Sequence, residues 1–338
     1  MSETPVMKLK PQYSTASAKS VASFIARRYK LAEPLECSLL QRGFNDSFEV
    51  KDGNGERYIM RLSCRRARGD ADVTSETAFM AYLDHAGVPV ATVVPSAEGA
   101  FFAYALMPEG VRAAVLFRYI EGRAVNWESQ ADAKELGVTL ARIHSAADQY
   151  AEKDQCAYRL DLDHLLHRPV RAILGIQDLS ADYRTNLGAF SNRLAIAVSA
   201  LKNLTWTRCH GDCHGLNARI AEQGQHAGQA VFFDFDDGGP GYLAYDLAVN
   251  LWSRCFFNRK MHALWHAFVE GYTGIRPIAA ADFDAVHCFA AIRHIWLLGE
   301  YAGRRADVGS ATVPAKWVEN EIKNLGAWEA DKLTKGLF

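Results

Sequence analysis

The chain has 338 residues, 49% apolar and 23% charged, with a formal net charge of -1. Such a chain builds one large or two medium globular domains, and its near-neutral balance argues against a dedicated nucleic-acid or membrane-surface binder, which carries a basic excess. No apolar run is long enough to span a bilayer, MSETPVMKLK lacks the apolar core of a secretory signal, and cysteines at 37, 64, 156, 209, 213, 255 and 288 form no small-domain disulfide framework, so a reduced, cytoplasmic setting is expected.

Residues 16–29 read as a short amphipathic helix, after which the texture turns to strand. CSLLQ and SFEVKD flank the bend RGFND, and the turn DGNG at 52–55 joins SFEVKD to RYIMRLS as a hairpin. A helix over 73–86 follows, closed by Gly87 with Pro89 just beyond. FFAYALM and AAVLFRYI are two further strands separated by PEG. From Gly122 onward the pattern is mostly helical, with NARIA and AVFFDFDD as a paired-strand exception near 217–236. The fold class expected is α+β: a small antiparallel-sheet lobe over 1–121 and a larger, mostly helical lobe over 122–338.

Charges inside apolar patterns point to chemistry. On the 73–86 helix, Glu76 shares a stripe with Val73, Phe79, Met80 and Leu83, and Arg61 interrupts an otherwise apolar strand face with Ile59. An Arg61–Glu76 pair would satisfy both charges; two side chains reaching to solvent along the surface are the alternative. Asp234, Asp236 and Asp237 end the strand VFFDFDDGGPG, and three acids so close need a cation or donors; a hard divalent ion suits them, an exposed acidic turn being the alternative. In RCHGDCHGLN, residues 208–217, Cys209, His210, Cys213 and His214 are ligand types, yet no second cysteine pair completes a zinc set and three residues rather than two separate the cysteines, unlike a haem-attachment run. What remains is Asp212 and Asn217, followed seventeen residues on by Asp234. One carboxylate to take a hydroxyl proton, with an amide and a second carboxylate to hold Mg²⁺, is the equipment of phosphoryl transfer.

HGDCHGLN followed by FFDFDDGGPGYLAYDLA resembles the aminoglycoside phosphotransferase family of kinase-like enzymes, with the signature H-G-D-x-x-x-x-N and then D-x-x-D running into a Y-D-L-A helix. Arg61 and Glu76, the G-V-P-V segment and LGVTLARIH follow the same order, so the resemblance covers about residues 35–330. CHGDCH and RHIWLLGEY are most similar to the branch of the bacterial stress-response kinase and type II homoserine kinases.

That resemblance implies a two-lobed protein-kinase-like fold and an ATP- and Mg²⁺-dependent transfer to a small-molecule hydroxyl. It implies Asp212 as catalytic base, His210 as brace of the catalytic loop, and Asn217 and Asp234 as Mg²⁺ ligands. Asp246 would be a structural aspartate, an N-cap tied back to the loop. Gly43, Asn45 and Ser47 would cover the nucleotide phosphates, with Arg61 and Glu76 beside them and adenine on the backbone of a hinge among Phe117, Arg118, Tyr119 and Ile120. Asp237 would face the acceptor or a second Mg²⁺, and the acceptor pocket would draw on 150–200 and the helices after Asp246, which carry Trp252, Arg254, Arg293, His294, Trp296 and Glu300, with core packing at helical spacing the favoured alternative for Trp252, Leu251 and the IWLL run. The family's usual lysine is arginine at position 61, a non-conservative exchange that keeps open a non-catalytic nucleotide-binding protein. A Ser/Thr protein kinase of the stress-response type is the other alternative.

Overall fold

Ser17 opens the first helix, α1 (Ala18–Arg28), its hydroxyl accepting the Ser20 amide at 3.2 Å. The computed structural model describes residues 7, 9–64, 70–151, 159–256 and 261–333; Cys156 and part of the expected acceptor segment fall outside these. The chain continues through β1 (Glu36–Arg42), β2 (Asp46–Lys51), β3 (Arg57–Leu62), α2 (Asp70–His85), β4 (Val93–Val94), β5 (Ala103–Met107) and β6 (Gly110–Arg118). It then runs through β7 (Gly122–Ala124), α3 (Gln130–Ala147), α4 (Arg168–Leu174), α5 (Ala181–Ala200), β8 (Trp206–Cys209), β9 (Ala218–Ala221), β10 (Ala230–Phe232) and β11 (Gly239–Tyr242). Helices α6 (Leu243–Cys255), α7 (His262–Thr273), α8 (Ala280–Gly303), α9 (Arg305–Val308) and α10 (Ala315–Trp328) complete it. No helix among the described residues is long and apolar enough to cross a membrane.

Contacts group the chain into two compact units, Met1–Ala78 with Thr92–Tyr119, and Phe79–Ala91 with Ile120–Phe338. In the first, an antiparallel sheet runs β1-β2-β3-β6-β4, with β5 also paired to β6. Alternation along β2 and β3 sends Phe48, Val50, Tyr58, Met60 and Leu62 into one core with Val21 and Ile25 of α1. Arg61 therefore lies on the other face of β3, where Glu76 of α2 meets it in a two-pronged pair at 2.8 and 2.7 Å. At the base of the β1–β2 bend, Asp46 is fully buried and takes a hydrogen bond from the Tyr13 hydroxyl at 2.5 Å and an ion pair from Arg112 at 3.1 Å.

In the second unit, β10-β9-β7 form one small antiparallel sheet and β11-β8 another. The β8–β11 pair, with register Gly239↔Cys209, places the ends of RCHGDCHGLN and DFDDGGPG side by side. Asp246 sits in the first turn of α6 behind an N-cap at Tyr242, which corrects the N-cap expectation: β11 runs straight into the helix, so the cap falls four residues earlier.

Candidate active site

The loop after β8 is held from below by α6. The buried carboxylate of Asp246 accepts the backbone amides of His210 at 2.6 Å and Gly211 at 2.9 Å, and lies 3.1 Å from His144 Nε2. One helical turn on, the Asn250 amide donates to the Cys213 carbonyl at 2.8 Å. Residues 246 and 250 share a helix face at four-residue spacing, so a single edge of α6 fixes the loop at two points.

Gly211 is required by its surroundings. Its φ is +85°, and a Cβ there would lie 2.0 Å from the Asp237 carbonyl oxygen. Asp234 also adopts the left-handed region, at φ 64° and ψ 59°, a strained conformation for a residue with a side chain and one that collects at functional sites. His210 clasps both sides of that residue: Nε2 is 3.0 Å from the Phe233 carbonyl oxygen and the ring packs on Phe235 at 4.2 Å, while Nδ1 accepts the Asp212 amide at 3.2 Å. Burial holds the His210 ring below its usual pKa.

Asp212 and Asn217 meet directly. The Asn217 amide nitrogen donates to the Asp212 carbonyl at 2.9 Å and to Asp212 Oδ2 at 3.1 Å. That leaves Asn217 Oδ1 as the atom to offer a cation. Phe233 N donates to the Asn217 carbonyl at 3.0 Å, so strand pairing sets Asn217 beside the residue preceding Asp234. An amide oxygen and a carboxylate are hard donors of the kind Mg²⁺ takes.

The four side chains that first suggest a transition metal turn to separate partners. Cys209 Sγ donates to the Tyr242 carbonyl, Cys213 Sγ to the Asp246 carbonyl, and His214 Nδ1 accepts the Leu216 amide. His144, Cys209 and Asp246 do lie within 4.8 Å of one another, but His144 bonds Tyr272 and Asp246, and burial pushes the Cys209 thiol well up.

Arg293 of α8 is the contact that the sequence does not disclose. Its Nη2 donates to Asp212 Oδ1 at 2.5 Å, and its guanidinium carbon lies 4.5 Å from the Trp296 ring and 5.2 Å from the Trp252 ring. Burial alone would raise the Asp212 carboxyl, but Arg293, helped by His214 and His210, outweighs it and holds the group below the usual carboxylate range. Asp237 is also buried, and its charge acts on Arg293. The other expected pocket residues disperse: His294 lies 3.1 Å from Glu321, Glu300 pairs with Arg168 at 2.5 Å, and Arg254 is enclosed near Trp127.

The remaining expected residues lie in the first unit. Gly43 N donates to the Asn45 carbonyl at 3.0 Å, and Asn45 Oδ1 accepts the Cys64 amide at 3.0 Å. Ser47 stands opposite Arg61 in the β2–β3 register. Phe117 pairs across β6 with both Ile59 and Val93, and Tyr119 N donates to the Arg57 carbonyl at 3.0 Å.

These features define a kinase-like fold, with an antiparallel sheet in the N-terminal part and a helical C-terminal part. Residues 36–279 match the family model described as the phosphotransferase enzyme family, and the chain belongs to that family. It is similar to an uncharacterised protein of Deinococcus radiodurans, 36% identical over 94% of this chain and 91% of that one. It is also similar to a homoserine kinase of Caulobacter vibrioides, 24% identical over 82% of this chain and 84% of that one. Among solved structures, amicoumacin kinase in complex with AMP-PNP, Ca²⁺ and its ligand superposes with a TM-score of 0.76 at 20% identity, covering 94% of each chain.

Proposed function

We propose that the protein transfers the γ-phosphoryl group of MgATP to a hydroxyl of a small molecule of amino-alcohol, amino-acid, sugar or antibiotic type. The observation that carries this is the joined set Asp212–Asn217–Asp234: side chain to side chain at 3.1 Å, then strand pairing to the residue before Asp234. Phosphoryl transfer asks a protein mainly for positioning and charge neutralisation. Asp212, kept ionised by Arg293, orients the acceptor hydroxyl and takes its proton late, as a weak base can once the phosphoryl bond has loosened. Asn217 Oδ1 and Asp234 would hold Mg²⁺, which would offset charge on the phosphates. His210 keeps the loop in register with Asp234. In the first unit, the Gly43–Ser47 bend would take the phosphates, the fork of Arg61 the same phosphates with Glu76 as its brace, and the backbone near Phe117 and Tyr119 the adenine.

The homoserine kinase and amicoumacin kinase relatives support a small-molecule acceptor. The test is ADP release from MgATP by wild type, Asp212→Ala and Asp234→Ala. Pooled acceptors would be amino acids and amino-alcohols, sugars, nucleosides, aminoglycosides, macrolides and a generic protein. The expected result is acceptor-dependent turnover that Asp212→Ala abolishes with MgATP binding retained, whereas Asp234→Ala weakens binding itself. Turnover on the protein pool alone would make this a protein kinase, and MgATP binding without any turnover a non-catalytic nucleotide-binding protein.

A further inference from the structure

Arg293 has fewer partners than so enclosed a cation needs. It is 2% exposed. Among the described residues its hydrogen bonds are the single prong to Asp212 and a long contact to the Tyr245 hydroxyl at 3.4 Å, and its buried Nε–H finds no acceptor. Arginine carries five donors in a planar fork matched to the two oxygens of a carboxylate. Here the fork is used at one corner, while Trp252 and Trp296 shape its surroundings and the Trp296 N–H is itself tied to His164 at 3.3 Å.

The carboxylate hydrogen-bonded to that fork is the one the proposed function gives to the acceptor hydroxyl. Asp212 already carries Asn217 on Oδ2 and Arg293 on Oδ1, and its side chain is 17% exposed, so an arriving acceptor meets both charges together. Drawing Asp212 toward a hydroxyl loosens the Arg293 pair and leaves the enclosed guanidinium with the charge of Asp237 but without its hydrogen-bonded carboxylate, a poorly compensated state. An acceptor bringing its own carboxylate restores that partner; an acceptor without one does not.

Resting on the phosphotransferase reading, we infer that the acceptor carries a carboxylate close to its hydroxyl, and that Arg293 is the specificity-determining residue that receives it. The carboxylate takes the unpartnered Nε–H and an adjoining Nη–H, and the hydroxyl takes the Asp212 oxygen that Arg293 holds in the free protein. Because the group now on the fork is a carboxylate, a planar carboxylate is the chemistry assigned.

Three matched pairs differing only by the carboxylate test this: serine and ethanolamine, homoserine and 3-aminopropan-1-ol, 4-hydroxybutyrate and propan-1-ol, each with MgATP and ADP release as readout. Wild type is expected to favour the acid member in kcat/KM by about 100-fold, the worth of two charge-assisted hydrogen bonds. Arg293→Lys, which keeps the charge without the fork, retains part of the preference, and Arg293→Met brings the ratio near one. A wild-type ratio at or below one overturns the inference, and so does a pair of variants that slow both members alike. The wild-type ratio decides even where a variant fails to fold. Turnover of the carboxylate-free members alone sinks the inference and leaves the phosphotransferase reading standing. If none of the six compounds is phosphorylated the inference is overturned, and the wider acceptor pools judge the phosphotransferase reading by themselves.

Discussion

Arg61 and Glu76 form a two-pronged ion pair in which the side chains are 5% and 7% exposed, joining β3 to α2. Neither charge has water to fall back on, so the pair matters most when one member is removed. Glu76→Ala is expected to lower the unfolding free energy by about 3–5 kcal/mol, the cost of stranding a buried charge. It should also weaken MgATP binding. Thermal unfolding and a nucleotide titration check both, and unchanged stability would contradict the pairing.

Gly211 and Gly224 both have positive φ, at +85° and +75°, but only Gly211 is crowded: a Cβ there would meet backbone at 2.0 Å, whereas one at Gly224 would meet nothing within 4 Å. Gly224→Ala should cost about 1–2 kcal/mol, the left-handed penalty alone. Gly211→Ala adds overpacking and should cost about 3–5 kcal/mol while abolishing turnover. Equal effects in chemical denaturation would count against the close approach.

Two buried arginines should respond in opposite ways. Arg293 is paired with Asp212, so Arg293→Met strands a carboxylate and is expected to destabilise by about 3–5 kcal/mol. Among the described residues Arg254 finds no hydrogen-bond partner for any of its three guanidinium nitrogens, and burial brings its pKa down to about 10. Arg254→Met should be neutral or stabilising by up to about 4 kcal/mol, because it removes a desolvated charge that gains little in return. Melting temperatures of the two variants decide this.

The acid side of the stability profile should be steep. Burial lowers the pKa of both His210 and His294. Below about pH 6.5 the unfolded chain takes up these protons and the folded chain resists them, so stability is complete above that pH and falls as pH drops through the window beneath it. Urea unfolding at pH 5.5 and 7.5 measures the drop, and His210→Gln should flatten it. A profile level from pH 7.5 to 5.5 would show that these rings charge freely in the fold.

The Arg61–Glu76 pair is legible in the sequence because each charge breaks an apolar stripe of its own element, and the hairpins because Gly and Asp mark their turns. The β8–β11 sheet is not: WTRC does not alternate and GPGY is glycine and proline, so neither reads as strand although together they align the two halves of the site. Asp246 is legible as a tie to the loop but not in its helical position, since nothing in YLAYDLA marks where β11 ends. Arg293 stands as one charge in the apolar run AAIRHIWLL, where core packing is the ordinary expectation. Its bond to Asp212, 81 residues away, depends on how α8 packs, which no local pattern encodes.

The loop is anchored by Asp246 and Asn250 on α6, whereas Arg293 and Trp296 belong to a single turn of α8. The tether of the loop and the cation on Asp212 thus sit on different helices. A change on that turn of α8 would leave both α6 anchors of the loop in place while removing the cation from Asp212, so the position of the loop and the charge beside its carboxylate are separable features of the fold.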